Sequence, residues 1–127
     1  MRRLVAATGA AILAIASPAL AQSAEDVVAS QVEAYQARDM ERFLSHYADD
    51  AVVEALGMTF RGKEQIRQAY AMNFQPGTPT AQVVERRVEG NYVQDRESYK
   101  AGDQTMCCSY TTYEVEGGLI RRVWVEN

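Results

Sequence analysis

From Pro79 onward the sequence is a series of extended runs separated by glycine turns, and this pattern narrows the possible folds more than any other feature. The runs cover about 80–89, 91–100, 104–115 and 119–126, with Gly90-Asn91, Gly102-Asp103 and Gly117-Gly118 between them. Glycine and asparagine tolerate the positive φ that tight hairpin turns need, so each run is expected to pair with the next. Strands joined by such short turns run antiparallel. Pro76-Gly77-Thr78-Pro79 is a turn that separates this meander from what precedes it.

Before that boundary the spacing is helical. Val28, Val32 and Tyr35 fall at i, i+4 and i+7, with Gln31 on the same face, and Glu25 and Asp26 sit where a helix N-terminus favours negative charge. Asp39 has the position of an N-cap for a short second helix whose apolar stripe is Met40, Phe43, Leu44 and Tyr47. Ala48-Asp49-Asp50 interrupts the pattern, Ala51 to Ala55 reads as a strand, and Gly62 opens a third helix, roughly Lys63 to Asn73, burying Ile66, Ala69, Tyr70 and Phe74. Helices gathered early and a sheet afterwards predict α+β architecture, with the helices on one face of an antiparallel sheet.

The first 21 residues have the composition of a secretory leader. Arg2 and Arg3 precede an uncharged run, Leu4 to Ala16, and Ala19-Leu20-Ala21 offers the small-x-small site at which a signal peptidase cuts. The expected organisation is therefore a signal peptide over 1–21 and one domain over 22–127, with a periplasmic or secreted location and no stable membrane insertion once the leader is gone. A buried core helix is the alternative for that run. Of 13 basic and 17 acidic residues, only Arg2 and Arg3 fall in the leader, so 22–127 carries a formal charge of −6. That balance argues against nucleic acid as a partner and against an anionic membrane surface.

Cys107 and Cys108 are adjacent. Neighbours on a regular strand point to opposite faces, so two separate thiols are expected, or a disulfide between two subunits through the outward one. A lone histidine, His46, and the absence of Cys-x-x-Cys spacing leave no metal or redox signature.

Two stretches carry a family resemblance. One runs from Val32-Glu33-Ala34-Tyr35-Gln36-Ala37-Arg38-Asp39 through Phe43-Leu44-Ser45-His46-Tyr47-Ala48-Asp49-Asp50-Ala51-Val52-Val53 to Gly62-Lys63-Glu64-Gln65-Ile66; the other is Tyr113 to Trp124. Together they resemble the nuclear transport factor 2-like superfamily, in its ketosteroid isomerase-like and SnoaL-like branch. The resemblance implies a cone: a curved antiparallel sheet wrapped round three N-terminal helices, with a deep apolar pocket, no cofactor and frequent homodimers. It implies little about function, because the fold hosts isomerases, cyclases, dehydratases and non-catalytic binding domains.

A ketosteroid isomerase-like site needs a carboxylate base and two donors, a tyrosine and a protonated aspartic acid, for an enolate oxygen. The resemblance puts Gln31 at the tyrosine position, Ala55 at the base position and Thr111 at the acid position. Gln31 and Thr111 can donate hydrogen bonds, but Ala55 cannot act as a base. Two other carboxylates are the catalytic candidates. Glu54 would enter the pocket only if its strand bulges; otherwise it is a solvated strand residue. Asp95 shares a strand face with Val93, Glu97 and Tyr99, as an acid–base pair with Glu97 or as a solvated sheet edge. Gln31, Tyr35, Thr111 and Tyr113 are the expected ligand-binding residues, with packing as the alternative for Tyr35. Trp124 shares parity with Ile120, which suggests core or interface. The expected function is a pocket for a small, mostly apolar molecule, with cofactor-free isomerase- or cyclase-like proton transfer if there is turnover; the alternative is a non-catalytic association module.

Overall fold

The computed structural model describes residues 22–127. The expected leader over 1–21, and its cut after Ala21, lie outside the described residues. Helix α1 spans Ala24–Gln36 and α2 spans Met40–Ser45. Both have side-chain N-caps: Ser23 accepts the Asp26 N–H at 3.1 Å, and Asp39 accepts the Arg42 N–H at 3.1 Å. Strands β1 (Tyr47–Ala55) and β2 (Met58–Arg61) form a hairpin, followed by α3 (Gly62–Tyr70), which tightens into a 3₁₀ turn over Ala71–Phe74. The helix expected to reach Asn73 thus stays α-helical only to Tyr70. The meander follows as β3 (Thr80–Glu89), β4 (Tyr92–Ala101), β5 (Gln104–Glu116) and β6 (Leu119–Glu126).

One curved sheet has the order β2-β1-β6-β5-β4-β3. All neighbours are antiparallel except β1 and β6, which run parallel. The expectation of a wholly antiparallel sheet is corrected there. Most of the domain lies between β1 and β6, long enough to carry the chain back to the starting end. Strand β1 also begins at Tyr47, which was expected to end a helical stripe; Tyr47 is buried at the start of the strand, and the pairing with β6 shifts between Tyr47 and Val52.

Three further bulges bend the sheet. Register shifts make Val84, Cys108 and Arg121 the extra residues of β3, β5 and β6. Two expectations built on regular alternation change accordingly. The Arg121 bulge reverses parity between Ile120, which is buried, and Trp124, which is half-buried on the outer face under the Arg122 guanidinium at 5.3 Å. The Cys108 bulge breaks the alternation that would separate the two thiols, and the Cys107 and Cys108 side chains fall on the same side of the strand.

The inner face of the sheet packs on α1 and α3. Val27, Val28, Phe43, Ile66, Val93, Ile120 and Val123 are fully buried between them. Phe43 is the hub of an aromatic cluster, with ring centroids 5.0–6.0 Å from Tyr35, Tyr47, Tyr70 and Phe74. Beyond the cluster the inner face of the sheet stays open at one end, and Tyr35 and Tyr70 belong both to the cluster and to that open end.

Candidate functional site

At the open end lies a cavity of about 370 Å³. Strands β1, β2 and β6 contribute Val53, Ala55, Phe60 and Val125; α1 contributes Gln31 and Tyr35; α3 and its 3₁₀ turn contribute Tyr70 and Asn73; β4 and β5 contribute Glu97, Tyr99, Thr111 and Tyr113. The walls are largely aliphatic and aromatic with a few polar groups, the composition of a small-molecule site.

Among the described residues, Glu97 is the only one lining the cavity with a charged side chain. It is 6% exposed. Burial pushes its carboxyl from an ordinary 4.5 up to about 7; the hydrogen bond with Thr111 opposes the rise, Asp95 adds to it, and Arg86 and the Tyr99 hydroxyl pull it down. Tyr99 in turn shares a 3.0 Å hydrogen bond with Ser109.

Burial pushes the tyrosines around the cavity in the same direction, with the opposite consequence for their charge near neutral pH. Burial raises the Tyr35, Tyr70, Tyr99 and Tyr113 hydroxyls above their usual range, so all four keep their protons near neutral pH. They are donors, and Glu97 is the lining side chain that changes charge in that range.

Gln31, 3% exposed, is held by one buried hydroxyl. Tyr47 donates to its Oε1 at 2.8 Å, which fixes the amide orientation, and its Nε2 donates weakly to the Val28 carbonyl at 3.4 Å. Gln31 and Tyr113 line the cavity together, as do Tyr35 and Asn73.

The structure brings four of the six expected site residues to the cavity: Gln31, Tyr35, Thr111 and Tyr113. Glu54 is not among them. From Ala51 to Ala55 the strand alternates regularly, with Ala51 and Val53 buried, so Glu54 faces outward and its nearest cationic partner is Arg122 at 3.9 Å. The bulge that would turn it inward is absent from that stretch. Asp95 is fully buried yet does not line the cavity, because the Arg86 guanidinium holds both its oxygens at 2.7 and 2.8 Å. A solvated edge is thus corrected for Asp95 and Glu97 alike. The carboxylate in the cavity is Glu97, two residues along the same face. Its parity with Val93 and Asp95 was visible in the sequence, but nothing local distinguished it from its neighbour.

His46 lies away from the cavity, bridging the Arg42 carbonyl at 2.7 Å and the Ser30 hydroxyl at 2.9 Å. Among the described residues no group of three or more His, Cys, Asp or Glu side chains is placed to hold a metal ion, and no helix is long and apolar enough to cross a membrane.

Comparison with known proteins agrees with this architecture. A cystatin-fold protein of uncharacterised role from Novosphingobium aromaticivorans superposes with a TM-score of 0.73 at 25% identity, over 84% of this chain and 99% of that one. A protein from Sinorhizobium meliloti proposed to be a polyketide cyclase gives 0.71 at 20% identity, over 80% and 94% of the two chains. A protein with a ketosteroid isomerase-like fold from Catenulispora acidiphila, solved in complex with trimethylamine, gives 0.67 at 17% identity, over 80% and 85%. No curated protein matches the sequence. The family model for the SnoaL-like domain matches residues 28–123, and the chain belongs to that family.

Proposed function

We propose that this is an exported pocket protein that takes a small, mostly apolar carbonyl compound and moves a proton beside the carbonyl without a cofactor, with Glu97 as the proton acceptor. One observation carries the reading: among the described residues, the one charged side chain lining this largely apolar cavity is a buried carboxylate whose burial raises it to about 7. A base is most useful when its proton affinity matches the working pH. The C–H bond next to the carbonyl breaks, its proton goes to the Glu97 carboxylate, and the electron pair moves to the carbonyl oxygen. Tyr113 donates to that oxygen as charge develops. The protonated Glu97 then returns the proton to carbon, which closes the cycle.

The test is proton exchange. Enolisable ketones are incubated with the protein in D₂O, and deuterium uptake at the α-carbon is followed by NMR. Wild type should exchange the proton, with a rate that rises with pH and is half-maximal near 7, and E97Q should lose roughly 10²–10⁴-fold. Ketone binding without exchange would move the reading to a binding protein. Preferential binding of small amines, lost in E97Q, would recast Glu97 as a counter-ion.

Two further parts of the reading concern context. Export is proposed from the leader composition, and N-terminal sequencing of the protein from the periplasm or medium should begin at Gln22. A homodimer through the outer face of the sheet is proposed because Tyr92 and Tyr110 are exposed there beside Trp124. Sedimentation at high concentration tests it, and a strict monomer would overturn it.

A further inference from the structure

We propose that Arg86 and Asp95 are positioning residues for Glu97: a buried ion pair behind the cavity wall that sets the charge balance against which Glu97 gains and loses its proton. This rests on Glu97 being the working group of the cavity. The pair itself never touches a ligand, since Asp95 does not line the cavity and both its oxygens are taken by Arg86.

The placement is a product of the fold. Asp95 and Glu97 follow each other on the inner face of β4, so the second carboxylate lies directly behind the first. In the β3–β4 ladder Val83 is opposite Glu97, and without the bulge Glu85 would fall opposite Asp95. The extra residue Val84 advances β3 by one, so that Arg86 stands there instead. An arrangement of three carboxylates becomes two carboxylates and a guanidinium. Arg86 is only 18% exposed at its side chain and Asp95 0%, so neither charge is well screened by water.

Other groups facing Glu97 do not compete for this role. Tyr35 from α1, Tyr47 from β1, Tyr70 from α3, Tyr99 from β4 and Tyr113 from β5 surround it, and burial keeps each of them protonated. That leaves Asp95 and Arg86 as the charges that act on it. Their effects are opposite: Asp95 repels the ionised Glu97 and Arg86 attracts it.

Opposed signs give a test that a merely structural pair would fail. In ligand-free protein, the ¹³C carboxyl signal of Glu97 is titrated in wild type, D95N, R86Q and the double variant. D95N should lower the midpoint by about one pH unit, and R86Q should raise it by about one unit. The double variant should return most of the way to the wild-type midpoint, because the two effects oppose each other. A midpoint that stays put in the single variants, or moves the same way in both, overturns the proposal. If R86Q does not fold, D95N decides alone, since it leaves the partly exposed Arg86 unpaired rather than a fully buried carboxylate: a lowered midpoint supports the pairing, and an unchanged one overturns it. The titration needs no substrate. Opposed shifts in a protein without exchange activity would therefore sink the proposed reaction and leave this inference standing, while E97Q-sensitive exchange with parallel shifts would do the reverse.

Discussion

A carboxyl group held in an apolar wall is an energetic cost as well as a tool. Glu97 binds its proton more tightly in the folded chain, at about 7, than in the unfolded chain, at 4.5. Folding is therefore favoured most below pH 4.5, and that contribution is lost as pH rises through 7, by roughly 3 kcal/mol in all. Glutamine imitates the protonated acid at every pH. E97Q should thus match wild type near pH 4.5 and exceed its stability by about 2–3 kcal/mol at pH 8, as read by urea denaturation at the two pH values. Equal stability at pH 8 would mean that Glu97 ionises without difficulty and is better solvated than its 6% exposure implies. Tyr113 poses a different question. Tyr113→Phe removes a hydroxyl that lines the cavity but keeps the ring that packs in the wall. The expected result is a loss of roughly 10²-fold in the rate of proton exchange with a much smaller change in ketone affinity, because the donor matters most when charge has built up on the ligand oxygen.

Between residues and fold, the segment after α3 shows how a turn can shape a site. Arg38, itself at φ 57°, spreads its guanidinium over the turn that follows the 3₁₀ helix: Nη1 donates to the Asn73 and Gln75 carbonyls at 3.0 and 2.9 Å, and Nη2 to the Thr78 carbonyl at 2.8 Å. Those bonds fix the segment that brings Tyr70 and Asn73 to the cavity. Arg38→Ala should cost roughly 1–2 kcal/mol, remove hydrogen-exchange protection across 73–78, and weaken ligand binding while the Phe43 cluster stays intact. Unchanged exchange there would show that the turn holds itself. The same elements show which parts of the structure the sequence could reveal. The meander was legible because Gly90, Gly102 and Gly117 mark its turns locally. The second helix start was legible because Asp39 caps it, and Gln31, Tyr35, Thr111 and Tyr113 followed from the family resemblance together with helix period and strand parity. The parallel pairing of β1 with β6 has no local mark. Neither do the bulges at Val84, Cys108 and Arg121, and each one reverses parity beyond it. That is why Trp124 and the adjacent cysteines were misplaced. It is also why Asp95 and Glu97 could not be told apart: the choice depends on which β3 residue stands across from Asp95, and a bulge decides that.

On the scale of the whole molecule, a domain of this size keeps about 370 Å³ unfilled where a sheet and helices could have closed on each other. A small core has little stability to spare, so an open apolar cavity forgoes dispersion contacts that neighbouring side chains would otherwise supply. The ring packing around Phe43 offsets part of this, and the bulges in β3 and β5 add bend to the sheet that forms the cavity wall. If the cavity exists to receive a ligand, filling it should separate stability from function. Ala55 is the natural position: it is half-buried on the inner face of β1, lines the cavity, and occupies the site where the resemblance would have put a base. Ala55→Leu adds an apolar group to empty space rather than to a packed core, so it should raise stability by about 1 kcal/mol. The same side chain would take up the volume a ketone needs, and binding should fall by at least tenfold, read by calorimetric titration beside thermal denaturation. A gain in stability with binding unchanged would place the ligand elsewhere on the molecule. A loss of stability would mean that the inner wall is already packed and that the open end of the half-barrel is narrower in solution than its lining suggests.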